Sequence, residues 1–327
     1  MQRKLGRSGI STSALGMGCW AIGGEWSFLG TPAGWGKTDD AESLRAITAA
    51  YDHGIRVFDT AANYGAGLSE RLLAEGLGAR RQDCVIATKF GFEVDEDAKV
   101  VRNRSEDMRT MPVARYVAAE CEASLKRLGT DYIDIYFFHV WDYDNIMALD
   151  VRAALEQLVD QGKIRSYGWS TDAPESARVF AQGPHCAAIQ TNFSIAVDQP
   201  EILRLCEQLD MVAFTRGPLA MGFLTGKYGS NTTFSQTDVR NAPWVKQQFQ
   251  GPVSAKLSAM REILTSGGRT LAQGALAYIW ARSERTLPIP GIRTAEQAAE
   301  NATAMEYGPL SADQTAEIDR IMADARA

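Results

Sequence analysis

The sequence predicts an α/β fold: a single (β/α)8 TIM barrel with an N-terminal hairpin cap and an extra C-terminal helix. Short β-branched and aromatic runs alternate with amphipathic helical patterns along nearly the whole chain, which is typical of βα units around a parallel sheet. Eight such units follow one another with no break in composition. We therefore expect one domain over residues 1–327, rather than the two that this length would also allow.

The predicted strands are short apolar runs, and the continuous run IDIYFFH is typical of a strand buried on both faces. The strands cover residues 15–19, 56–59, 84–89, 133–139, 165–170, 187–190, 211–216 and 286–290. The helices cover residues 39–53, 69–77, 112–128, 151–161, a stretch that begins near 174, 200–209, 271–282 and 294–305. Helix ends carry local signals: Asp39 with Glu42 resembles a capping box, and Gly129 follows the last apolar residue of its helix.

Three segments lie outside this series of units. Residues 3–11, with Gly6 and Gly9 between short apolar positions, predict a hairpin outside the barrel. The long insertion at residues 229–253 is predicted to be a surface loop. Residues 311–325 predict a terminal helix.

The composition limits the classes of function. The chain has 34 Lys and Arg against 40 Asp and Glu, a formal charge of −6, which argues against a nucleic-acid-binding or anionic-membrane surface. There is no run of 18 apolar residues and no signal-peptide pattern at the N-terminus, so we expect a cytoplasmic protein. Five scattered cysteines are typical of buried thiols in a reducing compartment, and three histidines give no pattern for a metal site.

Three predicted strands end in a residue that can take part in chemistry. These residues are Asp59, Lys89 and His139, and Tyr64 lies in the loop that follows Asp59. Catalytic groups of such barrels lie at the C-terminal ends of the strands, so we expect the four side chains to meet at one rim. Each residue alone also has a structural interpretation, as a helix cap, a snorkelling lysine or a locally bonded histidine.

Together, the four residues suit proton transfer to a carbonyl group. A free tyrosine has a pKa near ~10, and a neighbouring ammonium group would lower the pKa of Tyr64. Lys89 would supply that ammonium group, and Asp59 would keep it protonated in a desolvated pocket. His139 would orient the carbonyl oxygen. The set therefore predicts a general acid that faces a carbonyl.

The motifs FDTAANYG (58–65), IATKFG (86–91) and IYFFHVWD (135–142) resemble the signature of the aldo-keto reductase superfamily. In that superfamily an Asp, Tyr, Lys and His tetrad lies on a (β/α)8 barrel, and a nicotinamide cofactor delivers hydride. The similarity extends from LGMGCW (15–20) to PIPGIRTAEQAAEN (288–301). It implies that Tyr64 is the general acid/base of an NADP(H)-dependent reductase of aldehydes, ketones or sugars.

The resemblance also implies that the cofactor lies extended along the rim. No G-x-G-x-x-G follows the first strand, and GTPAGWGKT (30–38) has five residues between Gly30 and Gly36 where a P-loop requires four. Ser170 and Gln190 suit the nicotinamide carboxamide. The cofactor-binding residues that the resemblance implies are Gly18, Trp20, Asp59, Ser170, Thr171, Gln190, Arg216, Gly217, Pro218, Leu219, Gly222, Lys227, Arg240, Gly291, Arg293, Gln297, Glu300 and Asn301.

The chain departs from the usual family pattern at three places. Arg216 stands where many members have an aromatic ring stacked on the nicotinamide, although a planar guanidinium can also stack. Thr171 stands where many members have Asn or Arg. Gly291 and Ile292 replace a frequent Lys-Ser pair, so Arg293, next to a helix N-terminus, would carry any recognition of a 2'-phosphate. We expect NADPH as the cofactor, with NADH less favoured.

Aromatic residues in or beside the rim loops are expected to wall an apolar pocket for a small carbonyl substrate. The predicted pocket residues are Trp20, Trp26, Phe90 and Trp141. Trp169 should instead face the helices, because side chains alternate along a strand.

Two alternatives remain open at this point. Hydride transfer is reversible, so the chain could act as an NAD-dependent sugar or alcohol dehydrogenase. It also resembles the potassium-channel beta subunits, which bind a cofactor as partner proteins but have Asn where this chain has His139. The sequence does not determine the substrate, the favoured direction or the oligomeric state.

Overall fold

The computed structural model describes residues 1–103, 108, 111–229 and 231–326. In chain order the strands are β1 Gln2–Lys4, β2 Ser11–Ser13, β3 Gly16–Gly18, β4 Ser27–Phe28, β5 Thr31–Pro32, β6 Val57–Asp59, β7 Val85–Phe90, β8 Phe92–Asp95, β9 Val100–Asn103, β10 Ile133–Phe138, β11 Ile164–Ser170, β12 Cys186–Asn192, β13 Val212–Arg216 and β14 Thr286–Pro288. The α-helices are α1 Asp40–Asp52, α2 Leu68–Leu77, α3 Val113–Leu128, α4 Ala148–Asp160, α5 Pro174–Ala181, α6 Pro200–Gln208, α7 Pro243–Val245, α8 Gly251–Leu264, α9 Leu271–Arg282, α10 Ala295–Tyr307 and α11 Ala312–Arg326.

Eight strands form one parallel sheet in the order β3, β6, β7, β10, β11, β12, β13 and β14. Neighbours in this sheet are consecutive βα units, so each crossover helix packs on the outside of the strands. The predicted (β/α)8 barrel is confirmed, and each predicted barrel strand overlaps an observed one. Within the described residues, no helix is both long and apolar enough to cross a membrane.

The first and last strands meet at Gly18, which nearly closes the barrel. Gly18 pairs with Gly291, its N–H donates to the Pro290 carbonyl at 2.9 Å, and its own carbonyl accepts from the Ile292 N–H at 3.3 Å. A Cβ atom at position 18 would lie 2.7 Å from the Ile289 carbonyl oxygen. Only glycine allows the two backbones to approach this closely.

The barrel interior is filled by small, branched and aromatic side chains, and the N-terminal hairpin covers the end of the barrel opposite the C-terminal rim. The interior cluster is Leu5, Val57, Val85, Ala87, Ile135, Phe137, Ala188, Val212, Phe214, Leu287 and Ile289. Strands β1 and β2 form the predicted antiparallel hairpin, and Leu5 extends from it to complete this cluster with no exposed surface. The hairpin is therefore a cap on the barrel, as predicted.

Helix α1 begins as predicted but without a capping box. The Asp39 side chain accepts a hydrogen bond from the Ala41 N–H at 2.9 Å, which satisfies one free amide of the first turn. The Glu42 side chain does not return to the Asp39 backbone; it contacts Arg45 and accepts from the Ala295 N–H. Glu42 therefore links α1 to the start of α10.

The prediction of a surface loop at residues 229–253 was wrong in its second half. Residues from Pro243 onward are helical: α7, a π-helical turn at Lys246–Gln250 and then α8. Gly251 and Pro252 made a loop the natural prediction, but Pro252 lies in the first turn of α8, where a proline is tolerated. The apolar positions recur at helical spacing and are buried: Val245, Phe249, Val253, Leu257, Met260 and Leu264.

A second sheet stands beside the C-terminal rim of the barrel, and we call it the rim sheet. Its strand order is β5, β4, β9 and β8, and it is built from the loops that follow β3 and β7. Trp26, Phe92 and Val101 of this region pack with Tyr64 in one buried cluster. The rim sheet therefore forms one wall beside the ends of β6 and β7.

Leu5→Ala should lower the free energy of unfolding by about 2–5 kcal/mol, because it leaves a cavity where the hairpin closes the barrel. Urea unfolding at neutral pH measures this loss. Ile146→Ala is the control, because Ile146 is 78% exposed and its change should stay within about 0.5 kcal/mol. Equal unfolding midpoints for both variants would show that burial of Leu5 against the barrel interior does not stabilise the fold.

Candidate active site

The loop after β6 folds back onto β7 and thereby brings Tyr64 to Lys89. The Thr60 N–H donates to the Ala87 carbonyl at 2.8 Å, and the Ala62 N–H donates to the Lys89 carbonyl at 3.2 Å. Tyr64 sits in a short turn with its N–H on the Ala61 carbonyl at 3.1 Å. Backbone hydrogen bonds, rather than long side chains, therefore position the phenol over the end of β7.

Lys89 is the centre of the cluster that results. Its side chain is fully buried, and its Nζ donates to Asp59 Oδ2 at 2.8 Å, the Thr60 carbonyl at 2.7 Å and the Tyr64 hydroxyl at 3.1 Å. These three contacts use all three donors of an ammonium group. The structure thus brings Asp59, Tyr64 and Lys89 into direct contact. The Thr60 carbonyl was missed because a backbone ligand leaves no signal in a sequence.

His139 follows β10 and faces the same cluster from its other side. Its ring centroid lies 6.1 Å from that of Tyr64, with the two rings nearly perpendicular. The backbone N–H of His139 donates to the Phe90 carbonyl at 2.9 Å, which ties His139 to the end of β7. His139 Nδ1 is buried and has no hydrogen-bond partner among the described residues. All four predicted catalytic residues therefore stand at one rim, and the imidazole has hydrogen-bonding capacity to spare.

Two further polar side chains extend the cluster across the barrel. Gln190 Nε2 donates to Asp59 Oδ1 at 2.7 Å, and the Ser170 hydroxyl donates to Gln190 Oε1 at 3.4 Å. The sequence assigned Ser170 and Gln190 to a carboxamide and gave no sign that Gln190 also supports Asp59. The carboxylate of Asp59 is thus held on one oxygen by Lys89 and on the other by Gln190.

Burial and charge act in opposite directions on these groups. Burial by itself lowers the pKa of Lys89, but the charge and hydrogen bonds of Asp59 and Tyr64 outweigh it, so the pKa is raised. Burial raises the pKa of Asp59, against the effects of Lys89 and Gln190. Lys89 therefore keeps its proton at neutral pH.

The pKa of Tyr64 differs from the sequence prediction in its net direction. Burial raises the pKa of Tyr64 more than the Lys89 charge lowers it, so the phenol is less acidic than a free tyrosine. The pKa of His139 is well below its usual value because of burial, with Lys89 and Arg216 acting in the same direction. At neutral pH the site therefore holds a protonated phenol, an ammonium group and a neutral imidazole.

Aromatic side chains line two sides of this cluster. The Trp20 ring is roughly parallel to the Tyr64 ring at a centroid distance of 6.0 Å, and its Nε1 donates to the Ala33 carbonyl at 3.0 Å. Phe92 meets the His139 ring edge-on at 5.3 Å, and Trp141, which is 54% exposed, lies 5.9 Å from Phe92. Trp26 is buried in the same cluster as Tyr64.

The prediction that Phe90 lines the pocket was wrong. Its ring stacks on Tyr136 at 4.6 Å and packs against Phe138 at 5.4 Å, in the core between the strands and the helices. Side chains alternate along a strand, so Phe90 must face away when Lys89 faces inward. The same rule correctly placed Trp169, which packs on Phe180 at 4.8 Å.

Comparison with known proteins agrees with the family resemblance of the sequence motifs. Residues 14–323 match the Aldo/keto reductase family. This chain belongs to the aldo/keto reductase family. Members of this family are oxidoreductases, and we assign the same general role to this chain.

Relatives of this aldo/keto reductase cover almost its entire length. It is 29% identical to aldo-keto reductase yakc (NADP(+)) of Schizosaccharomyces pombe over 93% of this chain and 86% of the relative. It is 30% identical to the L-glyceraldehyde 3-phosphate reductase of Escherichia coli over 98% of this chain and 92% of that protein. The solved glycerol dehydrogenase of Gluconobacter oxydans is similar with a TM-score of 0.81 and 27% identity, over 99% of this chain and 95% of that one.

The loop after β13, which resembles the pyrophosphate-binding loop of the family, has a run of left-handed backbone. After β13, Gly217, Ala220, Met221 and Gly222 all have positive φ angles, between 48° and 93°, in the loop that also contains Pro218 and Leu219. A buried Asn192 Oδ1 beside Gly217 has no hydrogen-bond partner in the described part of the chain. A turn with this left-handed backbone can present N–H groups to an anion, so these residues of the aldo/keto reductase fit a dinucleotide.

Thr171 is engaged within the protein. Its hydroxyl oxygen accepts from the Ala173 N–H at 3.1 Å and its side chain is fully buried. Thr171 therefore starts the turn into α5. Ser170 and Asn192 remain as polar side chains on the inner face of the strand ends.

Two of the arginines predicted to bind the cofactor, Arg293 and Arg240, already have partners within the protein. Arg293 donates to the Trp35 carbonyl at 3.2 Å and to the Lys37 carbonyl at 3.0 Å. Arg240 is buried, forms a two-point ion pair with Asp238 at 2.6 and 2.9 Å, and lies 4.0 Å from the centre of the Phe234 ring.

Other residues that were predicted to bind the cofactor also have structural contacts. The Gln297 side chain accepts from the Arg293 N–H at 2.8 Å, and the Glu300 carbonyl accepts from Gln273. Asn301 is buried on α10, and Gly291 pairs with Gly18. Lys227 is 56% exposed and lies 3.9 Å from Glu300, which leaves it the most accessible cation of the set.

Replacing His139 should make stability less dependent on pH below ~6.5. The pKa of His139 is depressed in the folded state, so the unfolded chain takes up a proton first as the pH falls, and stability is lost in that window. One such proton changes the free energy of unfolding by at most about 1.4 kcal/mol per pH unit.

The measurement is urea unfolding of the wild type and of His139→Asn at pH 7.5 and pH 5.5. The wild type should lose more stability between these pH values than the variant does. His185→Asn is the control, because His185 is 45% exposed and pairs with Glu156 on the outside of the barrel. An equal pH dependence in wild type and His139→Asn would contradict the neutral buried imidazole.

Proposed function

We propose that this aldo/keto reductase transfers hydride reversibly between NADPH and a small carbonyl compound, with Tyr64 as the general acid/base. The observation that supports this most strongly is the buried contact of Lys89 Nζ with the Tyr64 hydroxyl at 3.1 Å and Asp59 Oδ2 at 2.8 Å. A structural lysine would not need a phenol within hydrogen-bonding distance at the open end of a barrel. The arrangement suits a proton donor whose conjugate base must be stabilised.

A nicotinamide cofactor, when bound over Ser170 and Gln190, would supply the hydride for the carbonyl carbon. Tyr64 supplies the proton that reaches the carbonyl oxygen, and the phenolate that forms is stabilised by the Lys89 ammonium group. Asp59 and the Thr60 carbonyl hold that ammonium group in place, so little rearrangement is needed as charge develops. In the oxidative direction the same groups accept the proton from an alcohol.

His139 acts as a neutral hydrogen-bond donor to the carbonyl oxygen. Its depressed pKa means that it offers an N–H without adding a second positive charge next to Lys89. Trp20 and Phe92 cover the rings of Tyr64 and His139 and limit access of water. A dry site strengthens the electrostatic effect of Lys89 on the developing phenolate.

The substrate class is a small aldehyde, ketone or sugar, or the corresponding alcohol. The relatives include an L-glyceraldehyde 3-phosphate reductase and a glycerol dehydrogenase, so a reductase and a dehydrogenase both occur among them. The glycerol dehydrogenase favours the alternative of a sugar or alcohol dehydrogenase, which would use NAD. A non-catalytic partner protein would retain cofactor binding without turnover.

Tyr64→Phe should reduce kcat for a carbonyl substrate by about 10²- to 10⁴-fold and leave the dissociation constant of NADPH within about twofold. The ring remains, so packing against Trp20 is retained and only the proton is removed. A screen of aldehydes, ketones and aldoses, followed by the loss of NADPH or NADH absorbance, identifies the substrate for this assay. Full activity of the variant would refute the proposed role of Tyr64.

NADPH is the proposed cofactor, because a relative carries NADP(+) in its name and because Arg293 adjoins the N-terminus of α10. Arg293→Ala should raise KM for NADPH about 10-fold more than KM for NADH, as expected for the loss of one charged contact to a phosphate. Arg293→Lys keeps a cation and should have an intermediate effect. Equal increases for both cofactors would mean that Arg293 only anchors the Trp35 and Lys37 carbonyls.

A further inference from the structure

An ion pair between Asp172 and Arg216 lies at the mouth of the barrel, one strand away from the catalytic cluster. Arg216 is the last residue of β13 and lies on the same side of that strand as Val212 and Phe214, which fill the barrel interior. Its guanidinium contacts Asp172 Oδ2, and the two side chains are each 39% exposed. The guanidinium therefore lies at the C-terminal rim, next to the side chains that fill the barrel interior.

Asp172 is fixed by more than its contact with Arg216. Its Oδ1 accepts from the Thr191 hydroxyl at 2.8 Å and from the Asn192 N–H at 2.7 Å, both at the end of β12. Asn192 is also the register partner of Arg216 across β12 and β13. One carboxylate therefore joins the loop after β11 to the ends of the next two strands.

The charge of Arg216 reaches the catalytic groups. It lowers the pKa of His139 and acts in the same direction on Tyr64, although burial is the larger influence on both. Gln190, two residues before Asn192 on the same face of β12, contacts Asp59 directly at 2.7 Å. Any ring that lies over Ser170 and Gln190 would therefore have the Arg216 side chain beside it.

Such an exposed ion pair contributes little to folding stability, so its effect must be sought in the local charge. Hydride transfer changes the nicotinamide from a neutral dihydropyridine to a pyridinium that carries one positive charge. A bare guanidinium beside the ring would disfavour the oxidised form, whereas a guanidinium neutralised by a carboxylate would not.

We propose that Asp172 is a positioning residue that holds Arg216 against the nicotinamide site and neutralises its charge, and that this pair sets the relative affinity for oxidised and reduced cofactor. The proposal rests on the proposed function, because it requires a nicotinamide cofactor at the ends of β11, β12 and β13. It assigns Asp172 a role that does not require contact with the substrate.

The test is the ratio of the dissociation constants for NADP+ and NADPH, measured by quenching of tryptophan fluorescence at low ionic strength. Asp172→Asn keeps an oxygen that can accept from Thr191 and Asn192 but loses the charge, and should raise the ratio roughly 3- to 10-fold. Arg216→Met leaves an unpaired carboxylate and should lower the ratio. The double variant should return close to the wild-type ratio, because it removes both charges together.

Glu317→Gln removes an equal charge from a remote ion pair with Arg320 on α11, and should leave the ratio unchanged. The effect of Asp172→Asn should also shrink in 0.5 M salt, since it is electrostatic. Parallel changes in both dissociation constants, with the ratio constant, would mean that Asp172 only shapes the loop and would overturn the proposal. A wild type that binds neither NADP+ nor NADPH would instead refute the proposed function on which it rests.

Discussion

The site depends on one charge pair kept out of water. Lys89 has no exposed surface, and a buried ammonium group is costly unless it is neutralised and fully hydrogen-bonded. Asp59, the Thr60 carbonyl and Tyr64 meet that requirement at 2.8, 2.7 and 3.1 Å. Two of these partners are structural, and the third is the phenol that we propose as the reactive group. The contacts that stabilise the buried charge are therefore also the contacts that position this phenol.

This constraint explains several features of the surrounding fold. Asp59 must also be satisfied, and Gln190 reaches across from β12 to do so at 2.7 Å. The loop after β6 must lie flat on β7 so that Thr60 can offer its carbonyl, and its backbone hydrogen bonds to Ala87 and Lys89 hold it there. The rim sheet then excludes water from one side. Gln190 and Tyr64 thus belong to a single hydrogen-bonded chain through Asp59 and Lys89.

Much of this arrangement could be predicted from the sequence, because a (β/α)8 barrel brings the C-terminal ends of consecutive strands together at one rim. Once Asp59, Lys89 and His139 are recognised as strand ends, the fold places them at one rim, and the alternation of side chains decides which neighbours face inward. That same alternation should have removed Phe90 from the predicted pocket. Helix α8 was missed because Gly251 and Pro252 outweighed a clear apolar periodicity.

Other features could not be predicted, because they depend on contacts between distant loops or on the balance of opposing energies. The rim sheet joins segments from two separate loops, and the Asp172–Arg216 pair joins two strand ends 44 positions apart. The sequence correctly indicated that Lys89 would favour the phenolate of Tyr64. It could not indicate that burial would outweigh that effect and raise the pKa of the phenol. The phenol of Tyr64 is therefore protonated at neutral pH, as the proposed proton donor requires.

The most direct measurement is the acidity of the phenol itself with and without the charge pair. A 3-fluorotyrosine placed at residue 64 gives one 19F signal whose shift follows ionisation of that hydroxyl. The double variant Lys89→Met with Asp59→Asn removes both charges and leaves neither one buried alone. If Lys89 stabilises the phenolate, the midpoint of ionisation should be higher in the double variant than in the protein that retains both charges. An unchanged or lower midpoint would contradict the account of Lys89 as the group that makes Tyr64 a usable acid.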